Sequence, residues 1–216
     1  MRVHPQLLAV AVSIALVAAW PLVDLRWQEH LAEESRQELL AQVEASDLAA
    51  VMTPVPAAAL HEVPPRVTPA IASPVAVTAG GGEPFARITI PRFGEDWRWP
   101  LLEGTGEEVL ALGPGHYTGT PMPGDLGNVG LAAHRAGHGD PFIDFDRLRP
   151  GDEIRIAQGD TTWTYAITSM PEIVPIEAVW VLDPLPGRAI TLTTCWPKYG
   201  SSKRMYVRGE LIGVER

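Results

Sequence analysis

One cysteine, Cys195, stands in the whole chain. A single thiol can neither close an internal disulfide nor build a multi-cysteine metal cage. Three fates remain: pairing between chains, inert burial, or work as a nucleophile. Its surroundings bear on the third. Thr191-Leu192-Thr193-Thr194 is a β-branched run that places Cys195 at a strand end, and Trp196-Pro197 stops that strand. Gly200-Ser201-Ser202 turns the chain, and Arg204 opens the next apolar run. Paired as antiparallel neighbours, the two strands would bring a permanently charged guanidinium beside the sulfur. A thiol must lose its proton before it attacks, nearby positive charge favours that loss, and an imidazole is its usual partner.

Six histidines are available. His4, His30 and His61 lie in the N-terminal third, leaving His116, His134 and His138. His134 ends the apolar run Val129-Gly130-Leu131-Ala132-Ala133 and is followed by a loop signal, Arg135-Ala136-Gly137. A strand end is a rigid mount for a proton-transfer group. His138 sits in a Gly-flanked loop, and His116 suits either a structural hydrogen bond or the wall of a site. Taken singly, each residue has a plainer reading: Cys195 as a small core residue, Arg204 as a surface charge, His134 as a satisfied barrel residue. Spacing alone names no reaction. No third ligand accompanies His134 and His138 at a metal-binding spacing, so neither a metal nor another cofactor is expected.

The elements that must hold these residues are short strands. Arg87–Ile90, Glu153–Ile156, Thr162–Ile167, Ala189–Thr194 and Met205–Arg208 are predicted strands. Gly159-Asp160 is a hairpin signal between the second and third. A short helix is expected around Pro141–Leu148 and a helical turn around Glu107–Leu112. With 20 Gly and 21 Pro, the composition favours turn-rich β structure, and many close-set strands suggest a closed β-barrel over residues 85–216. The formal charge of −9 supplies no basic stripe and argues against nucleic-acid binding.

Upstream the pattern changes. Residues 7–23, LLAVAVSIALVAAWPLV, carry no charge, with Arg2 before and Asp24 and Glu29 after. That run predicts a membrane anchor over residues 1–25 with its C-terminal side outside the cytoplasm. An uncleaved anchor is favoured over a cleaved secretory signal because Pro21 follows the small residues Val17-Ala18-Ala19 and the run continues through Val23. Residues 26–50 read as a helical stem, taken as a solvated stalk. Residues 51–84, rich in Pro, Ala, Val and Thr, read as an extended spacer.

The motifs together resemble the sortase family. Thr191-Leu192-Thr193-Thr194-Cys195 is similar to its TLxTC signature, and Arg204 in Lys203-Arg204-Met205-Tyr206 matches its arginine at the start of the last strand. Gly113-Pro114-Gly115-His116-Tyr117, Ala133-His134-Arg135 and Leu148-Arg149-Pro150-Gly151-Asp152 follow in the family's order, and GPGHY with CWPKYGSSKR resembles class E, class D next. The resemblance implies an all-β, eight-stranded barrel with short helices, carried by an N-terminal transmembrane helix and stem. It implies a cysteine transpeptidase that cuts an LPXTG- or LAXTG-like sorting motif between Thr and Gly. Cys195 would be the nucleophile, His134 the acid and base, Arg204 the oxyanion partner. Thr194, Trp196, His116 and Tyr117 are expected to contact substrate, Trp196 departing from the residues that relatives often carry there. Implied partners are surface proteins bearing the motif and an amine acceptor such as a peptidoglycan precursor, met at the outer membrane face. A pilin polymerase, a hydrolase with the same residues, and a non-catalytic surface-binding barrel are the alternatives.

Overall fold

The computed structural model describes residue 30, residues 32–48 and residues 82–216. The anchor expected over 1–25 and most of the 51–84 spacer lie outside them. Among the described residues no helix is long and apolar enough to cross a membrane.

Nine strands follow one another along the chain: β1 (Pro84–Thr89), β2 (Arg98–Glu103), β3 (Gly115–His116), β4 (Gly127–Ala132), β5 (Glu153–Gln158), β6 (Thr161–Ile167), β7 (Glu172–Pro175), β8 (Arg188–Trp196) and β9 (Lys203–Glu215). They form one sheet in the order β6-β5-β1-β2-β3-β4-β8-β9-β7, and β6 also pairs with β9. That second pairing closes eight strands into a barrel and leaves β7 as an outer branch. β9 serves both purposes. Its first residues, Lys203–Tyr206, pair with β7, and Gly209–Glu215 pair with β6. Closure abolishes the free edges that an open sheet of this size would expose.

Alternation along the strands fills the barrel. Ile88, Leu101, Val129, Leu131, Ile154, Ile156, Tyr165, Ile190, Leu192 and Val207 are inaccessible to solvent. Phe142, Phe145 and Leu148 join the same core. Their spacing of three suits a 3₁₀ turn, which repeats every three residues, and Phe145–Arg147 adopts one where a helix was expected. The turn expected after Glu107 is a one-turn helix, α2 (Glu107–Leu110). Gly159 and Asp160 form the two-residue link between β5 and β6, with Gly159 at φ 58°.

The stalk reading of residues 26–50 is corrected. Residues 32–48 are a helix, α1, and it is docked on the barrel. Leu40 and Val43, three apart on one face, are buried, Val43 to 1% exposure. Arg36 donates to the Arg98 carbonyl (3.3 Å) and lies over the Trp99 ring, 5.0 Å from its centroid. Glu44 pairs with Arg87 at 3.4 Å, and Asp47 accepts from the Gly159 amide at 2.7 Å. A stalk would leave that apolar pair in water, forfeiting about 1.5–3 kcal/mol per side chain.

Candidate active site

The sheet register brings the three candidate residues into one row. β4 and β8 are parallel, with Ala132 opposite Thr193. The chains stay together past that pair, since the Ala133 amide donates to the Thr193 carbonyl (3.2 Å) and the Thr194 hydroxyl to the Ala133 carbonyl (2.9 Å). Two residues along each strand, His134 comes level with Cys195. β8 and β9 are antiparallel, and there Cys195 is the direct partner of Arg204. Directly opposed residues project from the same sheet face. Leu192 and Val207 form an inward pair of the same ladder, so Cys195 and Arg204, an odd number of residues away, project outward. The row His134–Cys195–Arg204 therefore crosses the outside of the barrel wall at one end.

His134 and Cys195 line one cavity of about 450 Å³, together with Arg135, Lys198, Tyr199 and Ser201. Cys195 is half-buried and unpaired. Arg204 donates from Nη1 to the carbonyls of Ser201 and Lys203, each at 3.2 Å, which ties its guanidinium to the loop that rims the cavity. The His134 ring stacks on His138, centroids 4.9 Å apart and planes inclined by 27°. Its Nε2 is buried and has no hydrogen-bond partner among the described residues. Burial, then the positive charge of His138, pushes the His134 imidazole below its ordinary value, against a smaller opposing pull from Glu107. No group of three or more His, Cys, Asp or Glu side chains capable of holding a metal occurs among the described residues.

The other residues singled out from sequence sit elsewhere. Thr194 is buried, its hydroxyl spent on the Ala133 carbonyl. Trp196 packs against the core and under the Arg135 guanidinium, 4.9 Å from its ring centroid. His116 is 2% exposed, with Nδ1 at 2.8 Å from Glu103 and Nε2 at 3.0 Å from the Pro121 carbonyl. Tyr117 bonds through its hydroxyl to Thr193 (3.0 Å), one outward position back from Cys195. None of the four lines the cavity. In their places the structure brings Arg135, Lys198 and Tyr199. Arg135 is 2% exposed, donates to Asp146 at 2.7 Å, and leaves Nε and Nη1 unpartnered among the described residues. Adjacency was the available signal, since Arg135 follows His134 and Lys198-Tyr199 follow the strand-ending Pro197.

Compared with known families, residues 88–212 match the sortase domain. The chain belongs to the sortase family. It is 39% identical over 146 residues to Sortase SrtE1 of Streptomyces coelicolor, a match covering 61% of this chain and 41% of that protein. The chain thus spans less than half the length of that relative. Among solved structures, sortase E from Streptomyces avermitilis is 44% identical with a TM-score of 0.59, covering 62% of this chain and 91% of that one. Sortase E1 from Streptomyces coelicolor, solved with a tripeptide in its active site, is 36% identical with a TM-score of 0.56 at the same coverage. Both the all-β barrel and the family expected from the motifs agree with these findings.

Proposed function

We propose that this sortase-family chain is a cysteine transpeptidase acting on a Thr–Gly bond in an LPXTG- or LAXTG-like sorting motif. The observation that carries the reading is the single row His134–Cys195–Arg204, of which His134 and Cys195 line one cavity and Arg204 is bonded to Ser201 on its rim. The Cys195 sulfur attacks the Thr carbonyl carbon, and the carbonyl electron pair moves onto oxygen. Arg204, the strand partner of Cys195, stabilises that oxyanion, a contribution whose loss commonly costs about 10²–10³ in rate. The C–N bond then breaks, His134 gives its proton to the departing Gly amine, and a thioester to Cys195 remains. An amine acceptor attacks the thioester, the C–S bond breaks with its electron pair on sulfur, and His134 takes up the amine proton, which leaves Cys195 a thiolate beside a protonated His134, the state in which the cycle began. The net reaction exchanges one amide for another and consumes no cofactor.

The donor is a surface protein bearing the motif and the acceptor a cell-wall precursor amine. The uncharged run 7–23 with its acidic C-terminal flank supports an anchor over residues 1–25, with the barrel of residues 85–216 outside the cytoplasm. Residues 26–50 and 51–84 are the segments between them.

Mass spectrometry of the chain incubated with an LAXTG peptide tests the reaction. A mass gain equal to the peptide up to Thr, located on Cys195 and absent from Cys195→Ala, is expected. Added amine should convert it to an amide product. An intact peptide with unmodified Cys195 would refute the enzyme, and release of free acid at every amine concentration would make it a hydrolase.

A further inference from the structure

The loop after His134 is held from outside. His138 and Asp140 both adopt left-handed backbone conformations, at φ 55° and 56°, uncommon for non-glycine residues though His and Asp are among those that adopt them most, and the Asp140 amide is bonded within the loop to the Gly137 carbonyl (3.1 Å). Two supports come from the barrel itself: the Trp97 indole donates to the Pro141 carbonyl (3.1 Å), and the His134 carbonyl accepts from Phe142 (3.0 Å). The third comes from α1. Gly139, directly after His138, is seated so tightly that a Cβ there would lie 2.7 Å from Cη2 of Trp99 and 3.8 Å from Cβ of Ala32. Trp99 in turn carries the Arg36 guanidinium over its ring. Glu33 and Arg36 of α1 share a cavity of about 230 Å³ with Trp97, Trp99, Gly139 and Asp140. A continuous line of contacts therefore runs from α1 through Trp99 to Gly139, on to His138, and from His138 by ring stacking to His134.

We infer that α1 is a positioning element for the proton-transfer residue, holding the loop 135–141 so that His138 stays stacked on His134. This inference rests on the transpeptidase reading for the role of His134, and on geometry alone for the loop. Without α1, Trp99 would lose the cation above it and the space beside Gly139 would lose Ala32 from its wall. The left-handed residues would then relax and carry His138 off His134. The groups that face His134 are His138 from its own loop, Glu107 from α2, and, around the cavity, Arg135, Cys195 and Lys198, with Arg204 in the same row. Of the two that belong to the loop, Arg135 is pinned separately by Asp146 and Trp196, so undocking should act on His134 through His138.

The test uses the full chain. In Leu40→Asp/Val43→Asp, both buried residues of the docking face become charged. In Arg36→Met, the cation over Trp99 is lost together with its bonds to the Arg98 carbonyl and Glu33, and the apolar seat remains. Hydrogen exchange, peptide turnover and the pH profile of kcat/KM are measured for both. In the double variant, amides of residues 32–48 and 135–141 should exchange at least ~10-fold faster while β8 and β9 keep their protection. kcat should fall roughly 10-fold with KM for the peptide within about twofold, and the acidic limb of the profile should move to higher pH. Arg36→Met should change in the same direction by less, and Val43→Ile should behave as the parent. A freed helix with unchanged loop exchange and unchanged kcat would overturn the inference. So would a helix that stays protected with both residues charged, or a loss of activity that tracks loss of β8 and β9 protection. Failure of the parent to form any thioester would instead overturn the reaction, and the exchange comparison would still decide whether α1 holds the loop.

Discussion

At the scale of single residues, the proposed mechanism relies on a histidine that is hard to protonate. Burial and the His138 charge depress the His134 imidazole below 6.5, its ordinary value. In the proposed mechanism one proton is shared between His134 and Cys195, so activity should collapse once the imidazole and the thiol are both protonated. The acidic limb of kcat/KM is therefore expected below the ordinary imidazole range, and His138→Gln should move it upward by removing the like charge. A His138→Gln profile identical to the parent would show that the stack has no electrostatic effect on His134. The same depression has a sign for stability. The unfolded chain holds the proton more tightly, so His134 costs the fold stability as pH falls through its unfolded value, and none above it. His134→Gln should lose that part of the acid sensitivity in thermal unfolding.

What could be read at this scale was the chemistry of types. A lone thiol at a strand end, a guanidinium across a turn and a histidine closing an apolar run were visible because each is marked by its immediate neighbours. Thr194 and Trp196, which flank Cys195, and His116 and Tyr117, in the GPGHY segment, were grouped with them through the family likeness. Nearness does not fix direction. Thr194 and Cys195 are consecutive in β8 and so face opposite ways, Thr194 to a strand carbonyl and Cys195 to the cavity. Arg135 went unremarked because a buried arginine is recognisable only by what surrounds it.

Among the elements, strands that alternate were found and strands that do not were missed. β2 reads RWPLLE, with a proline and no alternation, yet Pro100 is tolerated in a ladder that pairs it with Arg87. β3 is two residues long and is defined by its neighbours. Helix α1 was read correctly as a helix and wrongly as free, because a stripe of two residues three apart does not disclose what covers it. Between elements, one exposed ion pair can be weighed. Arg92, after β1, grips Asp152, before β5, with bonds of 2.8 and 2.6 Å. The Arg92 hydrogen bonds, with help from the Arg149 amide and against the cost of burial, hold the Asp152 carboxyl below its ordinary value. Its contribution is present above the unfolded carboxylate pKa and is lost as pH falls through the folded one. Because Arg92 is more than a third exposed, solvent screens the pair and its contribution at neutral pH should be small. Asp152→Asn should lower the thermal midpoint accordingly at pH 7 and make little difference in strong acid. An equal loss at both pH values would mean that geometry, and not charge, matters there.

For the molecule as a whole, closure of the barrel is concentrated at one point. Gly209 pairs with Ile190 of β8 and with Ile167 of β6. A Cβ there would sit 2.8 Å from the Ala166 carbonyl oxygen and 3.1 Å from Cγ2 of Ile190. Gly209→Val should force β6 and β9 apart and cost about 1–3 kcal/mol, read as a fall in the urea midpoint. A midpoint unchanged from the parent would mean that the closing pair yields without penalty. Eight-strandedness came from family likeness, since alternation marked only five strands, and the division of β9 between two partners was not accessible at all, because no local pattern marks where one neighbour ends and the next begins.

The seating of α1 has a practical consequence for anyone who isolates the barrel. Residues 24–31 reach at most about 28 Å when fully stretched, so a domain gripping residues 32–48 rides close to whatever holds residue 23. Cut at residue 82, the same domain would present the bare indole of Trp99 and the patch vacated by Leu40 and Val43. Such a fragment is prone to stick to itself. A dimer seen only in that preparation would record a missing helix, not a natural partner.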